Sequence, residues 1–125
     1  MSLGVEENKA KRDIKDRAYS YAIGIIKFID RLGNRESDKV IGKQLLRSAT
    51  SIGANIVEAR AASSRRDFTN FLNHALKSAN ESKFWLNLLN KCEKGESTEI
   101  EPLIRETTEL ANILAASIIT LREKP

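Results

Sequence analysis

The one imidazole and the one thiol of this 125-residue chain, His74 and Cys92, are the side chains from which covalent chemistry would start. A nucleophile needs a base within hydrogen-bond reach, and the eighteen residues between these two span about 27 Å along a helix. No Cys–His couple forms within one chain on that reading. Carboxylate-bridged metal sites in helical bundles use a Glu-x-x-His pattern, and neither Glu58 nor Glu81 has a histidine three residues on. Neither a Walker loop nor a glycine-rich dinucleotide fingerprint is present. The sequence therefore predicts no enzyme, no metal site and no cofactor.

Two other groups of residues could act without catalysis. Arg47, Asn55, Glu58 and Glu81 fall on the polar edges of helical patterns. Polar groups at such seams must be paired, and Arg with Glu across helices satisfies both and fixes register. These four are expected to form a structural polar network at a helix or subunit seam. The second group is basic. Lys9, Lys11, Arg12, Lys15 and Arg17 crowd the start of the first helical pattern, and Arg60, Arg65 and Arg66 flank a later turn. In an antiparallel bundle both sets come to one end, where Lys11, Arg12, Lys15, Arg17, Arg60, Arg65 and Arg66 would suit phosphate contacts. Glu6, Glu7, Asp13, Asp16 and Asp67 offset them locally. Only Tyr19, Tyr21 and Phe68 could stack on bases near that end, so base-specific reading is not expected.

The elements that must position these groups are helices. From Lys9 to Leu32, Ile14, Ala18, Tyr21, Ile25, Phe28 and Leu32 recur at spacings of four and three. Gly24 inside this pattern is expected to admit a neighbouring helix closely, and Gly33-Asn34 to end it. Ser37 or Asp38 can cap a second helix running to about Ala62. It carries an apolar edge, Leu45, Ala49, Ile52, Ile56 and Ala59, a line of small and polar residues, Gln44, Ser48, Ser51, Asn55 and Glu58, and a third edge, Leu46, Gly53 and Val57. Three edges predict more than one packed neighbour. Ser63 or Ser64 caps a third helix, about Arg65 to Lys94, with the seam Phe68, Leu72, Ala75, Ala79, Ser82, Leu86 and Leu89. Of the adjacent Phe84 and Trp85, one should face the core. Cys92 is expected to pack at this helix end. Pro102 fits the first turn of a fourth helix whose seam is Leu103, Thr107, Leu110, Leu114, Ser117 and Leu121.

Four such helices with short links predict an all-α, antiparallel up-down-up-down four-helix bundle over residues 9–124, preceded by a flexible leader or cloning remnant at 1–8. Leu45, Ile52, Ile56, Phe68, Leu72, Leu86, Leu110 and Leu114 are its expected core. One domain of this length needs no disulfide, and the lone cysteine with no secretory leader predicts a cytoplasmic protein. No apolar run approaches the length that spans a membrane. Net charge is +4, unevenly placed: residues 1–66 carry fourteen basic and eight acidic side chains, residues 96–125 three and six. A basic half can face a polyanion.

With the helices placed, Gln44-Leu45-Leu46-Arg47-Ser48-Ala49, Ser51-Ile52-Gly53-Ala54-Asn55-Ile56-Val57-Glu58-Ala59, Arg66-Asp67-Phe68 and Ala75 to Glu81 resemble the four-helix-bundle proteins encoded in intervening sequences of 23S ribosomal RNA genes. That family includes the accessory variability determinant of diversity-generating retroelements. Ala59 stands where the family often has Gly, and fewer leucines surround Asn80-Glu81. The resemblance implies a homopentameric ring, often with a basic surface, for which nucleic-acid binding is proposed and no enzymatic activity is established, and, in the retroelement branch, partnership with a reverse transcriptase and RNA. A protein-interaction scaffold without a nucleic-acid ligand is the competing reading, and a remote enzyme, gathering His74 with Glu58 or Glu81 across a subunit boundary, is the lesser one.

Overall fold

The computed structural model describes residues 13–123, and within them the chain forms four helices and no strand. They are α1 (Ile14–Asp30), α2 (Glu36–Arg60), α3 (Arg65–Lys91) and α4 (Ser97–Glu123). Lys11, Arg12 and the leader at 1–8 lie outside the described residues. Local sequence explains each boundary. Asp13 caps α1 by accepting from the Lys15 amide at 3.0 Å, and Ser64, the second of the two candidate serines, caps α3 by accepting from the Asp67 amide at 3.1 Å.

Two boundaries differ from expectation. Arg35 is the N-cap of α2, and Asp38 serves from inside the first turn, its carboxylate accepting from the Arg35 amide at 3.1 Å. A carboxylate at that position meets the exposed amides of the helix start as well as one on the cap itself. At α4 the helix begins at Ser97, so Pro102 lies in the second turn. Proline there lacks the amide that would bond the Thr98 carbonyl and its ring crowds that carbonyl, a cost that a place in the first turn would avoid.

Each helix packs on two others: α1 on α2 and α4, and α3 on the same two. Together they enclose one core. Leu45, Ile52, Ile56, Leu72, Leu86, Leu110 and Leu114 are buried in it as the spacing predicts, with Ala18, Ile25, Phe28, Ala75, Ala79, Leu89 and Ile100 beside them. Each large aliphatic side chain removed from water contributes about 1.5–3 kcal/mol. Phe68 differs: it is half-buried against the core rather than within it, because it occupies the first turn of α3, where the core layers run out. Gly24 does admit a neighbour, since a Cβ there would stand 3.3 Å from Leu103 of α4.

Three small polar side chains are fully buried in the core, and with Tyr21 they form one layer. Tyr21 of α1 is 3% exposed, and Ser48 of α2, Ser82 of α3 and Thr107 of α4 are 0% exposed. Thr107 donates to the Leu103 carbonyl at 2.6 Å, so the Tyr21 hydroxyl donates to Thr107 Oγ1, also at 2.6 Å. Ser82 donates to the Ser78 carbonyl, and Ser48 to Ser82 Oγ at 2.8 Å. Burial pushes the Tyr21 pKa up to about 12 against the pull of Thr107 and Ser82, so the phenol is neutral at physiological pH.

Candidate nucleic-acid interface

Of the predicted basic residues, the five that the structure describes come together at one end of the bundle. Arg60, at the end of α2, bonds the Asp13 carboxylate before α1, one of its two hydrogen bonds measuring 2.7 Å. Arg65, at the start of α3, donates to the Leu121 carbonyl in the last turns of α4. Four helix ends therefore meet here, and Lys15, Arg17, Arg60, Arg65 and Arg66 share them.

Their surroundings differ. Arg17 is spent on α4: it reaches Glu106 at 2.6 Å and Glu109 at 2.8 Å, and its side chain is only 20% exposed. The Glu106 bond is the main reason its guanidinium pKa is raised. Arg60 likewise holds Asp13, whose carboxyl it pulls below the ordinary 3.8. A guanidinium held in such a pair must give up its carboxylate to engage a phosphate. Lys15, Arg65 and Arg66 have exposed side chains on the rim. The partner acids lie 47 to 92 residues away in sequence, which is why local charge counting missed these pairs.

The polar network forms in part. Arg47 on α2 bonds Glu81 on α3, while its own helix supplies Gln44 as an acceptor at 3.1 Å. Trp85 completes the group, its indole N–H donating to Glu81 at 3.0 Å. The cluster lies at the surface, with Arg47 57% and Glu81 36% exposed. Asn55 is not in it: its amide donates to the Ser51 carbonyl at 2.9 Å on its own helix. Glu58 is exposed about three turns beyond Arg47 on the same helix. Seam spacing placed these residues on the polar edges of two helices, but only Arg47 and Glu81, level with each other across the α2–α3 contact, meet.

The single-residue candidates also have places. His74 is exposed, edge-on to Phe71 with ring centroids 6.4 Å apart. Cys92 is exposed at the α3 C-cap instead of packed there. Among the described residues no group of His, Cys, Asp and Glu is arranged to hold a metal ion. Trp85 packs against the core and its neighbour Phe84 faces out.

One surface remains apolar. Tyr19, Ile23 and Ile26 of α1 and Leu46 and Val57 of α2 are exposed, Tyr19 by 72%. Between the two helices lies a groove of about 310 Å³ whose floor includes Ala18, Ala22 and Gly53. Gly53 keeps it deep, since a Cβ there would already touch that of Ala18 at 3.6 Å.

Residues 10–116 match the profile of the 23S rRNA-intervening sequence proteins. A comparison with curated proteins gives no match. Among solved structures, the chain is similar to the crystal structure of a protein of unknown function from the S23 ribosomal protein family of Bacteroides thetaiotaomicron. The two are 42% identical with a TM-score of 0.79, covering 85% of this chain and 98% of that one.

Proposed function

The chain belongs to the 23S rRNA-intervening sequence protein family, and from that premise we propose that it is a non-catalytic, cytoplasmic homo-oligomer that binds nucleic acid through phosphates. We infer that its helices alternate in direction, up-down-up-down, so that both the α1 start and the α2–α3 turn lie at one end. The observation that carries the binding reading is that end, where Lys15, Arg65 and Arg66 are exposed on a rim whose inner cations, Arg17 and Arg60, hold carboxylates. Phosphates bring charge without requiring base contacts, and the exposed aromatic nearby, Tyr19, lies in the α1–α2 groove.

That groove supports the oligomer. Five large apolar side chains exposed on one face are more than scattered surface residues account for, and the small residues beneath them allow close helix approach. A ring of five copies, the assembly implied by the family resemblance, would repeat the basic rim and multiply a weak contact by avidity. The same apolar face favours the scaffold reading, in which it seats a different protein; a reverse transcriptase is the partner to test where its gene lies alongside. The test combines light scattering with binding to mixed-sequence RNA and DNA across a salt series. Multimers whose affinity falls steeply with salt for any sequence are expected. A monomer, or no binding at about 50 mM salt where phosphate contacts are strongest, leaves the scaffold in front.

A further inference from the structure

We propose that the hydroxyl layer of Tyr21, Ser48, Ser82 and Thr107 is a register lock, selecting one alignment and one neighbour order of the four helices from packings of nearly equal apolar content. The need for such a lock follows from the seams. Their apolar residues repeat at intervals of three and four, and many are small: Ala18, Ala49, Ala75 and Ala79 are all fully buried. A helix that slips by one turn against its neighbour still sets apolar groups against apolar groups.

The hydroxyls remove that freedom. If α2 slips one turn along α3, Ser48 leaves Ser82 and faces Ala79 or Leu86. If α1 slips along α4, the Tyr21 hydroxyl leaves Thr107 and faces Leu103 or Leu110. In the native alignment every buried side-chain oxygen and nitrogen among the described residues has a partner. In a slipped one, the phenol of Tyr21 loses its acceptor inside the core, an unmade bond costing more than a made one contributes. The three smaller hydroxyls each have a carbonyl on their own helix to fall back on. Tyr21 has no such local acceptor and so makes the lock strict. Each helix contributes one group: Tyr21 with Thr107 registers α1 against α4, and Ser48 with Ser82 registers α2 against α3.

The full chain carrying Tyr21→Phe, Ser48→Ala, Ser82→Ala and Thr107→Val tests this, read by circular dichroism, amide NMR and hydrogen exchange after refolding. The expected result is retained helicity with more than one set of core amide signals, or core exchange faster by at least about tenfold. The two double variants, Tyr21→Phe with Thr107→Val and Ser48→Ala with Ser82→Ala, should each loosen one pair of helices only. A quadruple variant giving one set of signals with unchanged protection overturns the proposal. So does loss of helicity in both double variants, because the layer would then carry stability rather than choose between packings.

Discussion

The two ends of this bundle are built from opposite materials. Where α1 meets α2 and α3 meets α4, the chain is sealed. Lys94 reaches the buried Asp38 at 2.5 Å, and Arg31 pairs with Glu99. Gly95, at φ +80°, lets Phe28 lie where a Cβ would come within 2.5 Å of its ring. At the other end, the α2–α3 turn is short and polar, Phe68 is only half-covered, and arginines stand on the rim. The open end keeps the side chains of Lys15, Arg65 and Arg66 exposed.

The largest test of this contrast removes an aromatic ring from each end. Phe28→Ala, emptying a fully buried site, should cost about 3–5 kcal/mol. Phe68→Ala should cost about 1 kcal/mol, since that ring is already part-exposed. Urea denaturation measures both, and equal losses would mean the ends are closed alike.

Next come two glycines that should respond with opposite sign. Gly95→Ala should destabilise by more than about 1 kcal/mol, because alanine must adopt positive φ and displace Phe28. Gly53→Ala should raise helix stability by up to about 1 kcal/mol, its new methyl finding ordinary contact with Ala18. A thermal melt decides both. If Gly53 also lies in a subunit contact, the same substitution shifts the concentration dependence of assembly while the single-chain fold gains.

Much of this architecture is legible in the residues. The apolar repeats through Ile25, Leu45, Ile52, Ile56, Leu86, Leu110 and Leu114 place the core, because burial follows a helical period that spacing alone displays. The hydroxyl layer left a signal too: Ser82 and Thr107 stand in seams that are otherwise mainly apolar. What it meant was not legible, since the level at which four helices align is a tertiary fact. The candidate site was legible only as charge. Spacing brings Arg17, Arg60 and Arg66 to one end, but which cations are committed depends on Glu106, Glu109 and Asp13 arriving from other elements. For the same reason Arg47 finds Glu81 while Asn55 turns back to its own helix.

A smaller effect appears only in acid. The Lys94 ammonium and, after it, the Arg35 amide hold the Asp38 carboxyl below its ordinary 3.8 despite burial. A depressed carboxyl contributes stability above its unfolded value, near 4, and loses it as the pH falls through the folded value. Stability should therefore decline below about pH 4, and Asp38→Asn should flatten that limb of the profile. Asp13 at the open end acts with the same sign through Arg60, but its exposed pair is screened at about 1 M salt. The Asp38 limb should persist in salt; its disappearance there would place that pair in water.

The most direct test of the central claim reverses equal charge at each end. Arg65→Glu with Arg66→Glu alters the open end, and Lys39→Glu with Lys91→Glu alters exposed cations near the sealed one. Both double variants change net charge by the same amount, and circular dichroism checks that the helices persist. Binding to mixed-sequence RNA at low salt should be lost in the first and nearly retained in the second. Equal loss in both would mean that overall charge, not the open end, attracts the polyanion, and unchanged binding in the first would contradict the account.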